Sequence, residues 1–479
     1  MKASSTARFI YFLTCAIILF LCISRGMAMP IQGDEAGTYL RHVTQGWRGF
    51  WNVSTANNHL LNTGLIWTTT LFAPFSETAI RLPTLTISAW FFFWYIPTRL
   101  TPSTWVSRLI FAGVALTPYY FNEYLSMARG YGMASIFAAC ALNELAAYRH
   151  AYRPRAKLYL SSLFISLSCL ASLTIFPLFV LINAYILKSL RWPSTQRHEE
   201  SSNSSKPKVS WLNLMPMIST FAISIYTYTR IKLSGVATIV SGSDNLWKWI
   251  IDIPQGILIP LKGAMLGGNY LRPIPSPYLE ELLGITLLAL ITYQLFQIIR
   301  KPKQQNPWLV GFILVMTSIG LIYFLSLIGS YPSGRAWLPY WLPLAYSTLT
   351  PIFSIAQSAT SSNRTIEFES KLLLVGIGLS AVALTSSLIQ FQPNYVYELR
   401  PFYYQYKSLM HHSRAGTIDC LAYKDINDEV LKFYFLNKEG PIKSLTQCPE
   451  GTDSPPGFKQ YSHQNKEPFF NREGSVIYR

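Results

Sequence analysis

Charged side chains are scarce in this chain. Asp, Glu, Lys and Arg make up 13% of its 479 residues, where soluble domains carry about 25%. Acidic residues are rarer still, 23 against 40 Lys and Arg. Cysteine is limited to six and histidine to seven, with no CxxC or Cys/His cluster, so no metal-binding signature is present. Four of the cysteines, Cys15, Cys22, Cys140 and Cys169, fall in apolar runs and read as small packed residues. Cys420 and Cys448 lie in the polar tail and could pair if that tail is outside the cytosol. No internal repeat and no coiled-coil pattern appears.

Apolar runs are plentiful instead. Runs of about 17–22 residues recur, and a helix of about 20 spans the roughly 30 Å hydrocarbon core. The expected fold is therefore an all-α polytopic membrane protein. The spans are expected at 8–25, 81–98, 104–121, 131–148, 157–172, 174–190, 210–230, 280–299, 307–328, 336–356 and 371–391, about 11 transmembrane helices. The first run also has the length of a signal-peptide core, but no clear small-residue cleavage site follows it. Residues 1–391 form the transmembrane domain, and 392–479 a small mixed α/β extracytoplasmic appendage. The segment 59–75 has an apolar part of about 15 residues, too short to cross, and reads as an interfacial or re-entrant helix. Segment 253–266, with its prolines, reads the same way.

The net charge of +17 is explained by topology rather than by nucleic acid. Lys and Arg concentrate in short tracts between apolar runs: Lys2 and Arg8, Arg99 and Arg108, 148–157, 188–208 and 300–303. The positive-inside rule puts all of these in the cytoplasm. The N-terminus is then cytoplasmic, and loop 26–80, loop 122–130, loop 231–279, loop 329–335 and the tail lie outside, in what reads as a bacterial inner membrane.

The outer face collects the residues suited to chemistry. "GDEAGTYLRH" (33–42) places Asp34 and Glu35 just past the first span. Arg81 opens the second span, Arg129 precedes the fourth and Arg335 the tenth. Outer loops normally avoid such cations near spans, and the planar guanidinium suits phosphate oxygens. Beside them lie Asn58 and His59 in "TANNHLLN", Glu123 in "PYYFNEY" and Tyr131 in "RGYG". His59 reads as a loop histidine, a catalytic group or a metal ligand. Glu123 reads as a second site carboxylate or a partner of Arg129. The aromatic run "WFFFWY" (90–95) reads as ordinary packing or as the lining of a lipid groove.

The order of these features is similar to that of the GT-C superfamily of membrane glycosyltransferases, near the protein O-mannosyltransferases and the lipid A aminoarabinose transferases. It carries an acidic pair after the first span, "NNH" with a short helix, "RLP", "ARGY" and the late "SGRAWLPYWLPL". The likeness is best over 1–190. This chain departs from the pattern at Met127 and at Leu60-Leu61. The resemblance implies a polyprenyl-phosphate-linked sugar as donor and a glycolipid, lipid A or protein as acceptor, on the outer face. It implies Asp34 as base with Glu35 as orienter or second choice, and Arg81, Arg129 and Arg335 on the donor phosphate. A single base opposite the leaving group implies inversion. No cofactor is required. A divalent metal near Asp34 and His59 is an option that no residue pattern demands. The rivals are a flippase of lipid-linked sugars, an O-antigen polymerase or ligase, and a non-catalytic scaffold. Transporters place ionisable groups at mid-membrane, and these spans are nearly free of them.

Overall fold

The computed structural model describes residues 2–28, 31, 33–52, 58–101, 104–117, 119–148, 151, 154–191, 214–233, 307–326, 338–358, 365–390, 468–470 and 476–478. Helices occupy ten of the expected spans. The eleventh, 280–299, lies outside the described residues, as do segment 253–266, Arg335, Cys420 and Cys448.

The first helix, α1, runs Lys2–Ala28, and the next two, α2 (Gly33–Thr38) and α3 (Gly46–Phe50), flank a π-helical turn at Tyr39–Val43. Then come α4 (Leu60–Thr70) and α5 (Glu77–Trp90), which continues through a second π turn at Phe91–Tyr95 into α6 (Ile96–Arg99). That turn sits just ahead of Pro97. Proline has no N–H to donate and its ring crowds the carbonyl four residues back, so the ladder widens there. The segment expected to be one span at 104–121 is two helices, α7 (Trp105–Leu116) and α8 (Tyr119–Ser126). Pro118 lies between them in the sequence and cannot carry the hydrogen-bond ladder across. There follow α9 (Gly130–Ala147), α10 (Pro154–Ala171), a 3₁₀ turn at Leu173–Ile175 leading into α11 (Phe176–Arg191), α12 (Met215–Leu233), α13 (Pro307–Ser326), α14 (Trp341–Ser358) and α15 (Thr365–Gln390). Within 392–479 the described residues are two short antiparallel strands, β1 (Pro468–Phe470) and β2 (Val476–Tyr478).

The protein is an integral membrane protein. Among the described residues, three helices are long and apolar enough to cross a bilayer: Ser4–Met27, Glu77–Arg99 and Leu173–Leu190. The short helix α4, at about 16 Å, is not. Trp67, Leu71 and Phe72, at its end and in the turn after it, are exposed apolar groups, the chemistry of a membrane-surface element.

The chain divides into two compact units. One comprises Met1–Ile23, Val53–Asn62 and Thr84–Gln390; the other comprises Ser24–Asn52, Thr63–Pro83 and Phe391–Arg479. In the first, α9 is the core helix, buried along Gly130–Ala146. Its run of Gly, Ala, Ser and Cys lets neighbouring backbones come close, the usual basis of helix packing in lipid. Ser161 and Ser168 of α10, two turns apart, donate to the Ala141 and Ala134 carbonyls of α9 at 2.8 and 2.6 Å. Helices α7 and α15 approach through glycines: a Cβ on Gly113 would lie 2.8 Å from Leu379 Cβ, and one on Gly376 3.0 Å from Leu109.

The aromatic run 90–95 packs within this unit. Phe93 stacks on Phe12 of α1, Phe91 meets Phe111 edge-on, and Tyr95 meets Phe164. At the end of α9, Glu144 is fully buried. Lys157 of α10 donates to it at 2.6 Å and Tyr95 at 3.0 Å, with Arg99 at 3.8 Å. Asn143 accepts from Thr101 N and Tyr346 and donates to Tyr95 and the Arg99 carbonyl. This network ties together the ends of α6, α9, α10 and α14.

Candidate functional site

The acidic pair lies in the second unit, on the single turn and a half of α2. Neighbouring helix residues point about 100° apart, so two adjacent carboxylates cannot share one environment. Glu35 is 0% exposed, while Asp34 is half-buried. Glu35 meets Arg81 of α5 in a two-pronged ion pair: Nε donates to Oε1 at 3.1 Å and an Nη to Oε2 at 2.6 Å. The other Nη of Arg81 donates to the Gly26 carbonyl in the last turn of α1 at 2.6 Å. Arg81 itself is 2% exposed. A fork-on-carboxylate pair fixes both partners in orientation as well as charge. The end of α1, the acid-bearing turn and the stretch of α5 around Arg81 are thereby tied together. Sequence reasoning assigned Arg81 to donor phosphate and Glu35 to a place beside the base; the structure brings those two together.

The turn after α2 is closely fitted. Thr38 Oγ1 donates to the Asp34 carbonyl at 2.9 Å. Tyr39 OH accepts from Phe75 N at 2.9 Å, and Phe75 takes φ +55°, a left-handed conformation uncommon for a bulky residue. His42 is buried, with Nδ1 3.2 Å from the Gly49 carbonyl. A Cβ on Gly49 would run into the His42 carbonyl, so only glycine fits there. Burial, opposed by the Gly49 contact and aided by Arg41, lowers the His42 pKa from its ordinary value. Sequence reasoning passed over His42; its place at the end of the quoted decapeptide, eight residues after Asp34, was the available signal.

A depressed histidine pKa means that the unfolded chain binds the proton more readily than the fold does. Stability from His42 is therefore complete above the unfolded value of about 6.5 and is lost as pH falls toward the folded one. Acidification from about pH 7.5 to about 5.5 should lower the unfolding temperature of the wild type more than that of His42→Asn. Equal shifts in a fluorescence-monitored melt would remove His42 from the account.

The remaining candidates lie in the first unit. His59 is buried, its Nδ1 2.8 Å from the Ala171 carbonyl at the end of α10, and its ring meets Tyr131 edge-on at 4.7 Å. Asn62 donates to the Ala128 carbonyl at 2.8 Å. Arg129, 1% exposed, holds the N-cap position of α9 in extended conformation, with its guanidinium 5.7 Å from the Tyr131 ring. Both glycines of "RGYG" are required by packing. A Cβ on Gly130 would strike the Ala171 carbonyl and sit 2.9 Å from His59 Cβ; one on Gly132 would sit 2.6 Å from the Tyr124 carbonyl. The motif thus seats Arg129, Tyr131 and His59 together. Asn58 and Glu123 are also buried. The unit offers a buried guanidinium at a helix N-terminus, a place suited to an anion. Among the described residues no three His, Cys, Asp or Glu side chains gather as a metal site would require.

No family model matches the chain, and no curated protein is significantly similar in sequence. The fold does have solved counterparts. ArnT from Cupriavidus metallidurans bound to undecaprenyl phosphate superposes with a TM-score of 0.50 at 12% identity, over 89% of this chain and 84% of that one. The same protein in the apo state gives 0.51 at 11% identity, with the same coverage. ArnT is a lipid A aminoarabinose transferase of GT-C fold, and at this identity the likeness is one of fold.

Proposed function

We propose that the protein is a membrane glycosyltransferase that moves a sugar from a polyprenyl-phosphate carrier to an extracytoplasmic acceptor. The observation that carries this reading is the divided environment of the acidic pair, set in a fold of GT-C type. Glu35 is committed to Arg81. Asp34, on the same turn, is half-buried, and a base must lie within hydrogen-bond reach of the group it deprotonates.

In the reaction, an acceptor hydroxyl or amine loses its proton to Asp34 as it attacks the anomeric carbon. The bond between that carbon and the phosphate oxygen breaks, and polyprenyl phosphate leaves with its electron pair. Charge develops on the departing oxygen, and fixed cations lower the barrier. Arg129 and Arg335 take that task. Arg81, with both edges of its guanidinium occupied, holds the acid in position. Attack opposite the leaving group inverts the anomeric centre. The acceptor is a glycolipid, lipid A or a protein.

Reconstituted protein supplied with labelled polyprenyl-phosphate sugars and an envelope extract should release free polyprenyl phosphate while label enters the acceptor. A flippase would move the intact donor across the bilayer without cleaving it. Translocation with no cleavage of any donor in the panel would overturn the proposal.

A further inference from the structure

A second cationic cluster stands in the first unit, at the end where α1 begins. Arg8 lies over the ring of Trp105 with its guanidinium carbon 5.2 Å from the centroid, and Arg108 lies 4.7 Å from the same ring. The two cations are therefore within about a Debye length of each other. Arg8 is exposed. Arg108 is 7% exposed, and its Nε has no hydrogen-bond partner.

Like charges at this distance repel, and a buried guanidinium without a counter-charge is costly. Among the described residues the usual remedy is missing. Helix α1 contains no acidic residue, α7 contains none, and neither does the connection 96–104. Glu144, at the same end, is engaged by Lys157, Arg99 and Tyr95. Helix α15, which runs beside α7, carries Glu367 and Glu369 near its start. Among the described residues no carboxylate pairs with Arg8 or Arg108. The N-terminus of α7 adds a third positive element: Thr104 caps it, its Oγ1 accepting from Ser107 N at 3.2 Å. Tyr11 and Phe12 of α1 complete an apolar wall against Trp105.

We infer that Arg8, Arg108 and Trp105 form a site for a phosphate-bearing anion, the phosphodiester of an anionic phospholipid of the cytoplasmic leaflet. Basic residues converging between helices at the cytoplasmic end are how such headgroups are held. The aromatic wall accommodates the start of the acyl region, and the guanidiniums meet the phosphate oxygens. The site shares no residue with the proposed sugar-transfer machinery, so the outcome of the transfer assay does not bear on it.

The test is native mass spectrometry of the full chain, released from nanodiscs of phosphatidylglycerol and phosphatidylcholine in equal amounts. Each arginine near an anionic headgroup is expected to favour it by about 5-fold, and the two together by about 30-fold. Wild type should retain phosphatidylglycerol preferentially, Arg8→Gln should lose about 5-fold of that preference, and Arg8→Gln/Arg108→Gln should lose it. Arg8 is exposed, so its single variant stays informative even if replacing buried Arg108 impairs folding. Excess inorganic phosphate should leave the bound lipid in place; displacement would assign the site to free phosphate and overturn the lipid. An unchanged preference in Arg8→Gln would overturn the site.

Discussion

Asp34→Asn should reduce sugar transfer by about a thousandfold, within the roughly 10²–10⁴ span of general-base contributions, while leaving the fold intact. The change is nearly isosteric. The Thr38 contact is to the Asp34 backbone carbonyl, which the substitution retains. The neighbouring ion pair belongs to Glu35 and Arg81 and is untouched. Because the change is nearly isosteric, a melt should show little change, and donor binding should persist because the phosphate is held elsewhere. Labelled-donor turnover by purified variant and wild type decides the matter. A variant with a third or more of wild-type turnover would mean that another group accepts the proton.

The second large effect concerns Glu35 and Arg81. Removing one member of a buried ion pair leaves the other charge uncompensated, at a cost of about 3–5 kcal/mol. Glu35→Gln and Arg81→Ala should each destabilise the protein by about this much, visible in denaturant or thermal unfolding. The double change Glu35→Leu/Arg81→Met removes both charges and should recover most of that stability, since apolar replacements of buried pairs are often neutral. Turnover separates the two possible roles of the pair. If it orients the turn that carries Asp34, the double variant regains stability but stays impaired in transfer. A double variant that is stable and fully active would show the pair to be structural alone.

The architecture was legible where the bilayer dictates it. A span must be about 20 apolar residues of helix, because lipid offers no partner to an open backbone, and α1, Glu77–Arg99 and Leu173–Leu190 follow that rule closely. The shortness of α4 was legible for the same reason. The division of 104–121 into α7 and α8 was not, because apolar content continues across Pro118 and a hydropathy reading ignores the missing N–H. The acidic pair and the arginines stood out as charges in a chain with few of them. Their pairing did not. Glu35 and Arg81 are 46 residues apart, and His59 and Ala171 are 112 apart. Contacts of that separation depend on the fold as a whole, and local pattern carries no trace of them. The same holds for "RGYG", whose glycines are packing surfaces against Ala171, His59 and Tyr124.

The Glu144–Lys157 contact bears on biogenesis. A buried carboxylate left without a partner meets a penalty of several kcal/mol even after relaxation. Its partner stands only 13 residues further on, on the very next helix. The two can therefore neutralise each other as soon as α9 and α10 leave the translocation machinery as a hairpin, well before α14 is synthesised and Tyr346 arrives to complete the cluster. The charge on Glu144 thus finds its cation within two consecutive helices, with Tyr95 and Arg99 of the preceding segment already made.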